Sequence, residues 1–232
     1  MKRNISSKVR STQTEPHSRL AECVQKHLRN EWRHIPQRPT VEAFESLTKQ
    51  FPLQGQKIVL DSGCGNGEST RLVGACYPDC LVIGIDKSAT RLQKVSIGPF
   101  PYREGNVIWL RAELASFWQL AFQVGWKLHR HFLLYPNPWP KPGQLKRRWH
   151  AHPVFPDMLG LGGLLEMRCN WEIYAREFAA AVKIASGYDA PITREMNAAI
   201  TTPFERKYRK SGHSLFSVQA PDLSGALTRK QL

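Results

Sequence analysis

From Gln56 onward, short apolar runs alternate with longer stretches of helical spacing. The runs Lys57–Leu60, Leu81–Ile85, Val107–Leu110, Phe132–Tyr135 and Leu164–Met167 predict strands. Several are apolar at nearly every position, as in a parallel sheet covered on both faces. Helical stretches separate most of them, so successive βα units predict an α/β fold with a doubly wound, mostly parallel sheet. Upstream, Leu20, Val24 and Leu28 form one stripe of a helix over Arg19–Trp32. Two prolines in His34–Pro39 end that helix, and Thr40 is placed to cap a second one with Val41, Phe44, Leu47 and Phe51 inward. Farther on, Trp171, Tyr174, Ala175, Phe178 and Val182 share a helix face, and Leu215–Val218 is a last strand candidate. No internal repeat is visible. The pattern predicts one domain over 19–232, made of a helical N-terminal extension (19–52), a core (56–186) and a C-terminal segment (187–232). Residues 1–18 are expected to form a disordered basic tail.

Composition narrows this picture. A chain of 232 residues with 41% hydrophobic positions can bury a sizeable core. No apolar run approaches the roughly 20 residues that cross a bilayer, so no membrane partner is expected. The first fifteen residues are basic and rich in Ser and Thr, but no apolar core follows, which disfavours a secretory signal. Five scattered cysteines without a Cys-x-x-Cys pair suggest a reducing, cytoplasmic setting and no metal site. The net charge of +14 is the strongest bulk signal, because a basic surface gains free energy by releasing the counterions of phosphate backbones. Generic solubility or an anionic membrane are the bland alternatives. Clustering favours nucleic acid: Lys141, Lys146, Arg147 and Arg148 form one group, and Arg206, Lys207, Arg209 and Lys210 another. Trp139, Trp149 and Tyr208 lie among them, where they could stack on an unpaired base. The tail adds Lys2, Arg3, Lys8 and Arg10.

The most informative stretch is Ile58-Val59-Leu60-Asp61-Ser62-Gly63-Cys64-Gly65-Asn66-Gly67. An apolar strand ends in a carboxylate and enters a glycine-rich turn that opens a helix. Nineteen residues after Gly67, Asp86 closes the second strand, placed to accept both hydroxyls of an adenosine ribose. A dinucleotide fingerprint would need a glycine where Glu68 stands, and Asp61 would face an anionic pyrophosphate. S-adenosylmethionine instead carries an ammonium and a sulfonium, which carboxylates suit. Asp61, Gly63, Gly65, Gly67 and Asp86 are therefore the candidate cofactor-binding residues. Glu113 follows the third strand, either as an adenine-edge contact or as a helix N-terminal acid.

The fourth strand runs into Tyr135-Pro136-Asn137-Pro138-Trp139-Pro140-Lys141-Pro142. Ligands bind outside the carboxyl ends of strands in open α/β sheets, so this stiff loop should face the transferable methyl group. With Lys146-Arg147-Arg148 after it, the loop resembles the signature of the tRNA (guanine-N7)-methyltransferase family. Asn170-Trp171-Glu172-x-Tyr174-Ala175 resembles the family's next motif. Thr202-x-Phe204-Glu205, with Gly212-His213 downstream, resembles its C-terminal motif. The similarity spans roughly Ile58 to Val218. It implies a Rossmann-like methyltransferase fold and a cytoplasmic enzyme, monomeric or homodimeric, that uses S-adenosylmethionine to methylate N7 of guanine at position 46 in the tRNA variable loop. It also implies Asn137 as the catalytic and cofactor-side residue, and Lys141, Arg147, Asn170, Thr202, Phe204 and Glu205 as substrate-binding residues. The segment 56–186 is then the cofactor-binding core and 187–232 the substrate side.

Two departures bear on chemistry. The family usually has Asp where this chain has Asn137, and Asp where it has Asn170; Gln144 also stands near where a His often precedes the basic triplet. Guanine N7 has a free lone pair, so the site must align it with the methyl group and tolerate the arriving positive charge, without removing a proton. An amide hydrogen-bonds but lacks the carboxylate's charge, and losing one such stabiliser costs on the order of 3 kcal/mol. Asn170 is also a favoured helix cap, and Arg147 could be one member of a basic patch. Two further readings stay open: an exocyclic-amine methyltransferase using Asn137-Pro138-Trp139, and a catalytically weak RNA-binding paralogue.

Overall fold

A computed structural model describes residues 6–194 and 200–227. The core strands are β1 (Ile58–Ser62), β2 (Leu81–Asp86), β4 (Val107–Arg111), β5 (Arg130–Leu134) and β6 (Leu164–Cys169). Side chains alternate between two cores. Ile58 and Leu60 of β1, Ile83 and Ile85 of β2, and Ile108 and Leu110 of β4 point to one. Val59, Val82, Val107 and Trp109 point to the other. Both faces are thus apolar, which is why the runs are nearly continuous rather than alternating.

The sheet has the order β3-β4-β2-β1-β5-β6-β8-β7, with β3 at Tyr102–Glu104, β7 at Ile192–Arg194 and β8 at Phe216–Ala220. Pairing is parallel from β4 through β6. It is antiparallel where β3, β7 and β8 join. The doubly wound, mostly parallel sheet expected from the sequence is present. The short edge strands β3 and β7 carry no apolar alternation and are largely exposed, so hydrophobic patterning could not find them.

Helices α1 (Leu20–Arg29), α2 (Arg38–Gln50), α5 (Leu114–Gln123), α6 (Phe155–Gly160) and α7 (Glu172–Ser186) cover the larger core, and α3 (Glu68–Cys76) and α4 (Ala89–Leu92) lie on the other face. The last helix, α8, spans Pro203–Lys210. Thr40 lies inside α2 rather than at its cap, and its hydroxyl accepts the Glu113 amide at 3.0 Å.

The expected disorder through residue 18 needs correction over the described residues 6–18. Ser6 donates its amide to Ser211 Oγ at 2.9 Å, Ser11 Oγ donates to the Pro140 carbonyl at 2.5 Å, and the His17 amide donates to Glu177 Oε1 at 2.9 Å. Polar composition suggested a free tail, but polar partners on the body fix this segment as a strap. Lys2 and Arg3 lie outside the described residues.

Candidate active site

The carboxyl ends of β1, β2, β4 and β5 meet at one rim, and the candidate residues follow from that topology. Asp61 is buried at the end of β1; Ser69 Oγ and Thr70 Oγ1 both donate to its Oδ2 at 2.8 Å. Its other oxygen, Oδ1, is buried without a hydrogen-bond partner. Burial pushes the Asp61 carboxyl up to about 6, the Asp86 charge adding to it and the two hydroxyls only partly opposing it.

The glycine turn begins with the Gly63 and Cys64 amides donating to the Ile85 carbonyl at 2.8 and 2.9 Å. Gly63, Gly65 and Gly67 all have positive φ, near 81°, 61° and 75°. They are not equivalent. A Cβ on Gly65 would meet nothing within 4 Å, and one on Gly63 only Leu114 at 3.9 Å. A Cβ on Gly67 would lie 2.4 Å from Val95 and 2.5 Å from the Trp109 ring nitrogen. Gly63 and Gly65 thus face open space, whereas Gly67, expected at the cofactor, is needed for close packing of the turn on β4.

Asp86 accepts the Gly65 amide at 3.0 Å on Oδ2 and the Ser88 amide at 2.8 Å on Oδ1, with Arg91 Nη1 3.5 Å from Oδ2. An ionised carboxylate has about four acceptor positions, so these bonds leave capacity for a diol. Glu113 caps α5, accepting the Ala115 and Ser116 amides at 3.0 and 2.8 Å. The helix-acid reading of Glu113 holds, although the residue also lines the cleft.

Past β5 the loop is held in costly geometry. Tyr135 and Trp139 have φ near 53° and 45°, a left-handed region that bulky side chains rarely enter. They bracket Asn137, which is exposed and accepts the Trp139 amide only weakly, at 3.4 Å. The Arg147 guanidinium lies 4.8 Å over the Trp139 ring. A cleft of about 420 Å³ gathers Gly63, Asp86, Glu113, Asn137, Trp139 and Arg147. Lys141, beside it, is exposed.

A second cleft of about 200 Å³ adjoins the first through Gly63, Arg91 and Leu134 and is lined by Thr202 and Phe204. Thr202 caps α8, its hydroxyl accepting the Glu205 amide at 3.0 Å. Phe204 is 42% exposed and lines this cleft. Glu205 is fully buried; Arg168 Nη1 sits 3.2 Å from its Oε2 and Arg209 3.0 Å from its Oε1. Direct substrate contact by Glu205 is therefore corrected: it fixes α8 to β6.

Asn170 is likewise not a cap. The residue at the start of α7 is Trp171, with no side-chain cap. Asn170 Nδ2 donates to His213 Nδ1 at 3.0 Å, and His213 Nε2 donates to the Ser6 carbonyl at 3.0 Å. Arg148 also leaves the expected basic surface, since it is fully buried and paired with Glu177. Sequence reasoning missed Lys87, Arg91, Leu114 and His152, which line the larger cleft. None belongs to a spacing template; only nearness to a strand end could have flagged them. Burial pulls His152 down to about 4, so it is neutral at pH 7.

No helix among the described residues is long and apolar enough to cross a membrane. No cluster of three or more His, Cys, Asp or Glu positioned for a metal ion occurs among them either.

The chain resembles solved methyltransferase structures in fold. A 16S rRNA methyltransferase, KamB, aligns with a TM-score of 0.52 at 18% identity, covering 84% of this chain and 99% of that one. A 16S rRNA (adenine-N1)-methyltransferase from Catenulisporales acidiphilia aligns with a TM-score of 0.50 at 11% identity, covering 82% and 93%. Curated relatives are nearer in sequence. A tRNA (guanine-N(7)-)-methyltransferase of Pseudomonas aeruginosa (strain UCBPP-PA14) is 27% identical over 68% of this chain and 67% of its own length. One of Saccharophagus degradans is 28% identical over 77% and 82%. The family model described as "putative methyltransferase" matches residues 55–218, from before β1 into β8. That match runs through both clefts and the loop between them, and the chain belongs to this methyltransferase family.

Proposed function

We propose that this protein transfers a methyl group from S-adenosylmethionine to N7 of a guanine in the variable loop of tRNA, at position 46. The observation that carries this reading is the single cleft in which Asp86, Glu113, Asn137 and Arg147 converge beside Gly63. The names of the curated relatives support N7 of a tRNA guanine as the methylated atom.

The residues present fit the donor. Asp61 Oδ1 is buried and unpartnered, so a nearby cation would stabilise a carboxylate that is otherwise poorly solvated. Gly65 presents bare backbone to open space, and Asp86 retains acceptor capacity for a ribose. The bound donor supplies a methyl group made electrophilic by its sulfonium.

The chain's own groups then orient the base. Leu114, Leu133, Leu134 and Trp149 give the cleft its apolar lining. Asn137 can accept from the guanine edge through Oδ1 and donate to O6 through Nδ2, the latter being something a carboxylate cannot do. N7 is left free, and no general base is required. The lost negative charge at this position slows the step, because the positive charge arriving on the base meets an amide dipole. Lys141, Lys146 and Arg147 are exposed beside the loop and suit phosphate contact.

We further propose that 19–232 acts as one methyltransferase domain in the cytoplasm, as a monomer or homodimer. The test is labelled methyl transfer to an unmodified tRNA transcript and to the same transcript made with 7-deazaguanine. Transfer to the first and none to the second is expected. Equal transfer to both would place the methyl group elsewhere and overturn the N7 reading.

A further inference from the structure

Three consecutive carbonyls of the loop after β5 are held from below. The Trp139 carbonyl accepts from Arg148 Nε at 3.2 Å, the Pro140 carbonyl from Ser11 Oγ at 2.5 Å, and the Lys141 carbonyl from Arg148 Nη2 at 3.5 Å. The prolines at 136, 138, 140 and 142 cannot donate amides of their own, so the loop has few local bonds with which to hold a left-handed Trp139. Outside groups must supply that restraint.

Arg148 is in turn oriented by a closed polar cluster. Its Nη1 donates to Glu177 Oε2 at 2.5 Å, and its Nη2 to Gln13 Oε1 at 3.0 Å. Its guanidinium lies 4.9 Å over the Trp171 ring. Glu177 accepts four donors: Arg148 and His150 Nε2 on Oε2, and Gln13 Nε2 and the His17 amide on Oε1. Burial alone would raise the Glu177 carboxyl, but His150 and Arg148 outweigh it and hold it down at about 2. Gln13 faces the guanidinium with its oxygen and the carboxylate with its nitrogen, so it closes the cluster from the strap side and would clash, donor to donor, if flipped.

We propose that Ser11 and Gln13 are positioning residues for the reaction: the strap they belong to completes the loop that carries Asn137. Ser11 holds the loop directly, and Gln13 acts through Arg148. The strap therefore belongs to the construction of the active site and is more than a basic arm for RNA. This inference rests on the proposed methyl transfer only for its kinetic arm, since the loop geometry is measurable without turnover.

The test compares the full chain with Ser11→Ala/Gln13→Ala and Ser11→Thr variants by amide hydrogen exchange, donor calorimetry and turnover. Each lost hydrogen bond corresponds to about a five- to tenfold change in a local opening equilibrium. The double variant is expected to speed exchange over residues 137–147 about tenfold or more while β1 and the glycine turn exchange as before. Donor affinity should stay within twofold, kcat should fall by a similar factor with a smaller change in KM, and Ser11→Thr should restore the hydroxyl's share. Loop exchange unchanged within twofold overturns the proposal. So does a uniform rise in exchange across the whole domain, which would make the strap a general stabiliser. If the wild-type chain transfers no methyl group, the functional reading fails while the exchange comparison still decides this one.

Discussion

Lowering the pH from 7 to 5 should weaken methyl-donor binding about tenfold, through Asp61. Burial holds this carboxyl at about 6 against an ordinary 3.8, so the folded, donor-free protein disfavours the charged form. The shift of about two units corresponds to roughly 3 kcal/mol, to order of magnitude. Because the folded value is raised, the associated stability is fully present below 3.8 and is lost as the pH climbs through about 6. A cation beside Oδ1 reverses that preference and selects the carboxylate. If only the ionised form binds, the apparent Kd is multiplied by one plus the ratio of protonated to ionised Asp61. That factor is about 11 at pH 5 and about 1.1 at pH 7 for a group titrating near 6. Calorimetry in buffers of different ionisation enthalpy reads both quantities, since binding at pH 5 should also release about 0.9 proton. Asp61→Asn should bind more weakly at pH 7 and lose the pH dependence. Flat affinity between pH 7 and 5 in the wild-type protein, or an unchanged slope in Asp61→Asn, refutes the role given to this carboxylate.

Gly67→Ala drives a Cβ into Val95 and Trp109 and should lower stability by about 1–3 kcal/mol in thermal unfolding, whereas Gly65→Ala, strained by its positive φ but meeting no neighbour, should cost less stability and reduce donor affinity. Arg147→Ala and Lys141→Ala should each reduce the slope of log tRNA affinity against log salt by about 1, as measured by filter binding; an unchanged slope would remove them from the phosphate surface. Asn137→Asp should raise kcat by about ten- to a hundredfold in single-turnover transfer, because it restores charge facing the methylated base. A lower rate would mean that donation from Nδ2 matters more than charge.

The strands and the glycine turn were legible because their burial on both faces and their positive φ leave local marks, runs of Val, Ile and Leu and spaced glycines. Asp61 and Asp86 were legible for the same reason, as carboxylates at strand ends where no apolar core needs them. Residues whose roles depend on distant partners were not. Arg148 reads as one member of a basic triplet, and only Glu177, 29 residues away, makes it a buried strut. Glu205 reads as a substrate contact until Arg168, 37 residues back on β6, turns it inward. Asn170 has the composition of a cap, yet His213 claims its side chain. The strap shows the same limit most clearly. Ser11 and Gln13 sit in a polar, Ser- and Thr-rich segment, and what orders them is a set of acceptors and donors more than 120 residues away.

Identifying the methylated nucleoside is the most direct measurement. Purified protein, labelled S-adenosylmethionine and unmodified tRNA should yield a digest in which the label co-migrates with 7-methylguanosine and maps to the variable loop. Label on an exocyclic amine, or tRNA binding with no label at all, contradicts the chemistry assigned to this cleft.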